Sequence, residues 1–154
     1  MLALTFQIGP NRLALGVREI AEVVPRVDLK PAPFGPAWLA GVFVHRGRVV
    51  PVVDLHRLLA VGPCPPHLSS RVILVPLPGD PRRRLVGLLA ARVADVRDFP
   101  PPAPGAAGDG DPARPDLGPV LVDAEGIIHL AAVDRILPAA YRQQLSALCQ
   151  TTDP

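Results

Sequence analysis

Residues Trp38 to Leu58 read WLAGVFVHRGRVVPVVDLHRL. Two apolar runs, Val42-Phe43-Val44 and Val49 to Val53, flank the dipeptide Arg46-Gly47. Apolar runs around a two-residue glycine turn predict a tight β-hairpin. Pro51 has no N–H to give a ladder, so it points to an edge strand or a bulge. Asp54 is placed to cap a short helix, DLHRLLA, because its carboxylate can accept a first-turn N–H. Just upstream, Pro36-Ala37-Trp38-Leu39 can start one helical turn, since proline is tolerated at a first helical position.

The same alternation extends outward in both directions. In LALTFQI (2 to 8), Leu2, Leu4, Phe6 and Ile8 fall on one face, and Ala3, Thr5 and Gln7 on the other. Gly9-Pro10-Asn11 is a turn, and Leu13, Leu15 and Val17 resume the pattern, so 2 to 17 reads as a hairpin. Residues 19 to 25, EIAEVVP, read as a third strand; helix competes, but the β-branched residues and Pro25 favour extension. RVILVPL (71 to 77) has the length of a buried strand, and LVGLLAARVADV (85 to 96) supplies one or two more. VLVD (120 to 123) and IIHL (127 to 130) form a last hairpin, AAVDRIL a short helix, and Pro138 opens another. In that helix Leu137, Tyr141, Leu145 and Leu148 make one stripe. Residues 98 to 118 are rich in Pro, Gly, Ala and Asp and are expected as a mobile surface loop, and TTDP (151 to 154) as a frayed tail. Eight to ten short strands with glycine-rich turns imply closed or sandwiched β structure, with no sequence repeat of 20–50 residues visible.

Composition narrows the function. The 154 residues suit one compact domain or two very small barrels sharing a core, and 21 prolines exclude long uninterrupted helices. Sixteen basic against 14 acidic residues is too even a balance to mark a nucleic-acid or membrane-surface protein. Pro31 to His45 is the longest stretch without a charge at neutral pH, but its 15 residues include three prolines and cannot span a bilayer. The N-terminus lacks a basic segment and a cleavage pattern, and two cysteines make no disulfide framework, so the expectation is a soluble cytoplasmic protein.

Nothing points to catalysis. There is no Gly-x-Ser-x-Gly elbow and no phosphate-cradling glycine loop. Cys64-Pro-Pro-His67 is half a metal site at most, because no second pair stands at suitable spacing. His45, His56 and His129 read as isolated, with His45 an exposed hairpin residue, and Asp54 as a cap and not as half of an acid–base pair with His56. Arg82-Arg83-Arg84 reads as a solvated hairpin tip, with contact to an acidic partner or a phosphate as the alternative. Glu22 and Arg46 are charges within or beside apolar segments, so each is either the outer side of a strand or part of an interaction face. No metal and no cofactor are expected.

The segment from Trp38 to Leu58 resembles the signature of the CheW family, the coupling proteins of bacterial chemosensory arrays. Gly41-Val42, Arg46-Gly47, Val49-Val50-Pro51-Val52-Val53 and Asp54-Leu55 stand at the family spacing. Ile20, Glu22 and Val23 resemble the family's Val/Ile-Glu-Val/Ile segment, and Asp95 a frequent family aspartate, within a likeness spanning roughly residues 2 to 138. Val44 departs from it, standing where the family has Asn. The resemblance implies an all-β fold with short helices: two small SH3-like five-stranded barrels, consecutive or interleaved, within one domain over 1 to 150, with an apolar groove between them. It implies a non-enzymatic adaptor that binds the cytoplasmic tip of methyl-accepting chemoreceptors and the regulatory domain of a CheA-type histidine kinase. The membrane is then reached only through receptors, and no nucleic acid is involved. The contact residues it implies are Ile20, Glu22, Val23, Gly41, Val44, Arg46, Gly47 and Asp95. A divergent adaptor that engages receptors but not the kinase is the alternative.

Overall fold

The computed structural model describes residues 1–32, 35–66, 70–102 and 113–152. Among them are β1 (Leu2–Ile8), β2 (Asn11–Gly16), β3 (Glu22–Pro25), β4 (Leu39–His45), β5 (Arg48–Asp54) and α1 (Leu55–Leu58). There follow β6 (Arg71–Pro76), β7 (Leu85–Ala90), β8 (Val96–Asp98), β9 (Val120–Asp123), β10 (Gly126–Ala131), α2 (Val133–Ile136) and α3 (Ala139–Thr152). The strands make two five-stranded sheets. The central sheet runs β3-β6-β7-β5-β4, and the terminal sheet runs β8-β1-β2-β10-β9. The two modules are therefore interleaved, with the central one inserted between β2 and β8 of the other.

Both faces of the inner strands are covered, and this explains their near-continuous apolar runs. Along β6, Ile73 and Val75 enter a core shared with the terminal sheet, while Val72 and Leu74 enter a second core of the central module. Period-2 alternation sorts the residues between two interiors here, not between core and water. In the terminal sheet Phe6, Ile8, Leu13 and Leu15 face the shared core, and Ala3, Ala14, Ile128 and Leu130 line a third core with Phe99. The expected facing of β1 is thus corrected at its start: Ala3 is buried and Leu2 is 54% exposed. The stripe of α3 packs as its spacing predicts, with Tyr141, Leu145 and Leu148 on the shared core; Leu137 joins them there from the end of α2, before α3 begins. Because that core fills the boundary between modules, a groove there can only be a surface depression along the seam.

Several local expectations change. Residues 19 to 21 are not strand: Val17–Glu19 is a 3-10 turn and pairing starts at Glu22. A single turn does follow Pro36, closed by the Leu39 N–H on the Pro36 carbonyl at 3.0 Å, but it goes no further, because Leu39 opens β4 and the Trp38 carbonyl accepts the Asp54 N–H at 2.9 Å. Pro51 lies in an interior strand, and the bulge is on its partner β4, between Leu39 and Gly41. Val42, opposite Pro51, exchanges both backbone bonds with Lys30, so this is a non-bonded pair and the proline nitrogen faces β7. The β7 ladder begins only at Val52, so no bond is lost.

Within 98 to 118, the described ends are held in place. Phe99 is buried, its N–H bonds the Met1 carbonyl at 2.8 Å, and Asp116 pairs with Arg135 at 3.0 Å. The middle of that segment, 103–112, lies outside the described residues, as does His67. The helix α3 continues through Thr152, beyond the start of the expected frayed tail. The Arg82–Arg84 turn is only partly solvated: Arg84 tucks in against Asp80 at 2.8 Å.

Candidate functional site

The β4–β5 hairpin turns through Arg46 (φ 52°) and Gly47 (φ 78°), with His45 opposite Arg48. Two left-handed residues in succession make a type I′ turn, whose twist matches the flanking strands. Glycine is at ease there; Arg46 holds the same conformation at a steric cost. The turn thereby carries His45 and Arg46 back toward β3, the opposite edge of the central sheet.

Glu22 on β3 meets them. Its Oε2 lies 2.9 Å from His45 Nε2, and its two oxygens lie 3.4 and 3.5 Å from an Arg46 terminal nitrogen. The cluster ties one edge of the central sheet to the other. His45 is therefore partly buried and paired, not an exposed, isolated hairpin residue. Beside it is a depression of about 550 Å³ lined by Glu22, His45, Arg46, Arg48 and Leu85. Val23 (40% exposed) and Val44 (69% exposed) put apolar surface on the same two edge strands.

The remaining sequence candidates lie elsewhere. Ile20 packs against the shared core. Gly41 is buried at φ 149°, where a Cβ would stand 2.7 Å from the Lys30 carbonyl oxygen, so only glycine allows the bridge between Lys30 and Val42. Asp95 is exposed on the β7–β8 connection of the terminal module, and its carbonyl accepts from both the N–H and hydroxyl of Thr5.

Asp54 is the cap that its position predicts. One carboxylate oxygen accepts the N–H groups of His56 (2.9 Å) and Arg57 (3.3 Å), and the other accepts that of Cys64 (3.0 Å). The last bond anchors the loop after α1, and nothing local in the sequence announces it. His56 is buried as well, against its reading as isolated. Potential ligand atoms of Asp54, His56 and Cys64 lie within 4.8 Å of one another. His56 Nε2, however, accepts the Gly9 N–H at 3.1 Å, which leaves the neutral ring's proton on Nδ1 and no lone pair for a metal. Burial pushes the imidazole below its ordinary range, with Asp54 opposing, and burial pushes the Cys64 thiol up. The trio is a structural knot.

Sequence reasoning missed a second junction in the terminal module. Arg12 on β2 grips Asp123 through two nitrogens at 2.8 and 2.9 Å and reaches Glu125 at 3.2 Å. Arg97 on the edge strand β8 adds Glu125 at 3.3 Å and Asp123 at 4.0 Å. The doublet Asp123…Glu125 around a glycine turn was the available signal, but its basic partners are distant in sequence.

The CheW-like domain model matches residues 2–140. The chain belongs to this family. It is 27% identical over 145 residues to "Chemotaxis protein CheW" of Rhizobium meliloti (strain 1021), covering 91% of this chain and 89% of that one. It is 33% identical over 106 residues to "Protein FrzA" of Myxococcus xanthus, covering 66% of this chain and 65% of the relative. Its fold resembles that of scaffolding protein TtCheW from Thermoanaerobacter tengcongensis, with TM-score 0.69, 20% identity and coverage of 91% and 89%. The CheW-like assignment accounts for two five-stranded modules in one chain, and none of the described helices is long and apolar enough to cross a membrane.

Proposed function

We infer that this chain is a non-enzymatic coupling adaptor of a bacterial chemosensory array. It links the cytoplasmic tips of chemoreceptors to a CheA-type histidine kinase and reaches the membrane only through those receptors. The family match over residues 2–140 carries this reading. The described residues support it in kind: the charged group at the central module's edge is a structural cluster flanked by exposed apolar surface, and Asp54, His56 and Cys64 are committed to backbone and packing.

On this reading Arg46 and Glu22 set the register of a docked partner, while Val23 and Val44 give nonpolar contact. Arg46 suits the role because its planar guanidinium can fork onto a carboxylate or a helix-end carbonyl. Single interfaces of this kind are weak, and array multivalency supplies the remaining avidity. The test is receptor-tip binding by Arg46→Glu. Weakened capture with an unchanged thermal midpoint supports the role, and capture equal to wild type removes Arg46 from the interface.

The exposed Val44, at the family's Asn position, favours a second reading, in which kinase contact is altered while receptor contact is kept. Separate titrations with a receptor tip and with a kinase regulatory domain distinguish the two. Binding to both supports the linker, and binding to the receptor alone supports the receptor-only adaptor.

A further inference from the structure

We propose that the cavity between the β6–β7 turn and α3 binds a small phosphate-bearing anion of about the size of a diphosphate. The cavity holds about 620 Å³. One wall is a single face of α3, with Ala139, Arg142, Gln143 and Ser146 at helical spacing; the other is the turn bearing Arg82 and Arg84.

Asp80 is the one acidic residue of the lining among the described residues, and it is already committed. Its side chain is 2% exposed, and its carboxylate accepts the N–H groups of Arg82 (3.1 Å) and Arg84 (3.0 Å) and the Arg84 Nε (2.8 Å). Those bonds fix the turn and cancel the Arg84 charge. Arg82 and Arg142 have no acidic partner among the described residues, and the Arg142 Nε is buried without an acceptor. Arg142 is half-buried and its charge is unneutralised among the described residues, and an anion beside its side chain in the cavity offsets that charge. Guanidinium forks match phosphate oxygens in geometry as well as charge. The Ser146 hydroxyl and the Gln143 amide supply neutral donors, and the α3 start at Ala139 adds the positive end of a helix dipole. Among the described residues no aromatic side chain lines the cavity, so they offer a nucleobase nothing to stack on. The volume admits a diphosphate with room to spare, so a phosphate carried on a sugar fits as well.

The test is calorimetric titration of the full chain with inorganic pyrophosphate at near-physiological salt. The expected result is saturable one-site binding, weakened about tenfold by Arg82→Ala and by Arg142→Gln, the loss typical of one charge-assisted contact. Arg83→Ala removes the same charge from the same turn outside the cavity and is expected to leave the affinity unchanged. Arg82 is exposed, so its variant keeps the fold even if Arg142→Gln does not. Three results overturn the proposal: no saturable binding, equal weakening by Arg83→Ala, or arginine-dependent binding of an oligoglutamate peptide but not of pyrophosphate. The first two indicate diffuse surface charge, and the third indicates carboxylates of a protein partner.

Discussion

The central and terminal modules share one plan and differ in how they complete it. In each, an antiparallel hairpin lies beside a parallel contact (β7 with β5, β2 with β10), a second hairpin follows, and a short edge strand (β3 or β8) finishes the order. In each, the parallel strand runs into a one-turn helix. The central module caps that helix locally, through Asp54. The terminal module has Ala132 at the cap position, with no side-chain oxygen to offer. There Glu19 Oε1, 114 residues away, accepts the Val133 N–H at 3.1 Å. The edges are closed with reversed polarity: acid on the edge strand and base at the hairpin in the central module, base on the edge strand and acid at the hairpin in the terminal one. The fold requires a donor satisfied and two edges joined, and different residues meet those requirements in the two modules.

The largest effect tests the two caps. Asp54→Ala strips the acceptor from three backbone N–H groups, two of them in fully buried bonds, and should cost roughly 3 kcal/mol in urea unfolding. Glu19→Ala removes one bond to a partly buried N–H and should cost about 1 kcal/mol. Equal losses would break the comparison, because the distant cap would then be as integral as the local one.

This contrast also explains what could be read from residues alone. Asp54 stands directly before the first helical residues, so its capping role follows from spacing, and the hairpin around Arg46-Gly47 follows from turn chemistry. The pattern over 19 to 25 reads as strand and misplaces Glu19, because its purpose lies at Val133 and local pattern carries no information about that contact. The same limit hid the Cys64 bond to Asp54 and the Arg12 and Arg97 pairs with Asp123 and Glu125. The alternation in β1 was legible, but its meaning was not: a face that reads as solvent-exposed covers a third core, through Ala3. The shared plan of the modules left no sequence repeat, because a β-strand tolerates many apolar side chains at a given inward position.

Acidification should separate His56 from Glu19 by sign. Burial depresses the His56 imidazole below 6.5, so the unfolded chain binds the proton first and stability falls as pH drops below that value. Glu19 behaves oppositely: burial raises its carboxyl above 4.5, so the stabilisation linked to its protonation, separate from the Val133 bond, is full below that value and is lost as pH rises through the folded pKa. Thermal midpoints followed from pH 7 downward should decline less in His56→Gln than in wild type, and Glu19→Gln should lose the gain at the acidic end. Identical profiles for His56→Gln and wild type would remove His56 from the account. Asp123, in the terminal module, has the sign of His56 and not of Glu19, since its bonds to Arg12 hold its carboxyl at about 2, against an ordinary 3.8. Its stabilisation should persist above 3.8 and disappear as pH falls through about 2, and Arg12→Ala should move its NMR titration midpoint upward.

The smallest effect concerns the central junction. Arg46 is 77% exposed and lies at 3.4 Å from Glu22, so solvent screens the pair. Arg46→Ala should change unfolding free energy by no more than about 0.5 kcal/mol, whereas Arg12→Ala should be measurably more destabilising because Arg12 grips Asp123 through two nitrogens. The inequality matters because it separates holding the fold from meeting a partner. The terminal junction spends its arginine on its own acids. The central junction keeps His45 as the near partner of Glu22 and leaves most of the Arg46 guanidinium in solvent. A measured cost for Arg46→Ala as large as that for Arg12→Ala would make both junctions internal fasteners. A negligible cost, together with lost receptor-tip capture by Arg46→Glu, would show that the same closure of sheet edges has been turned outward in one module and inward in the other.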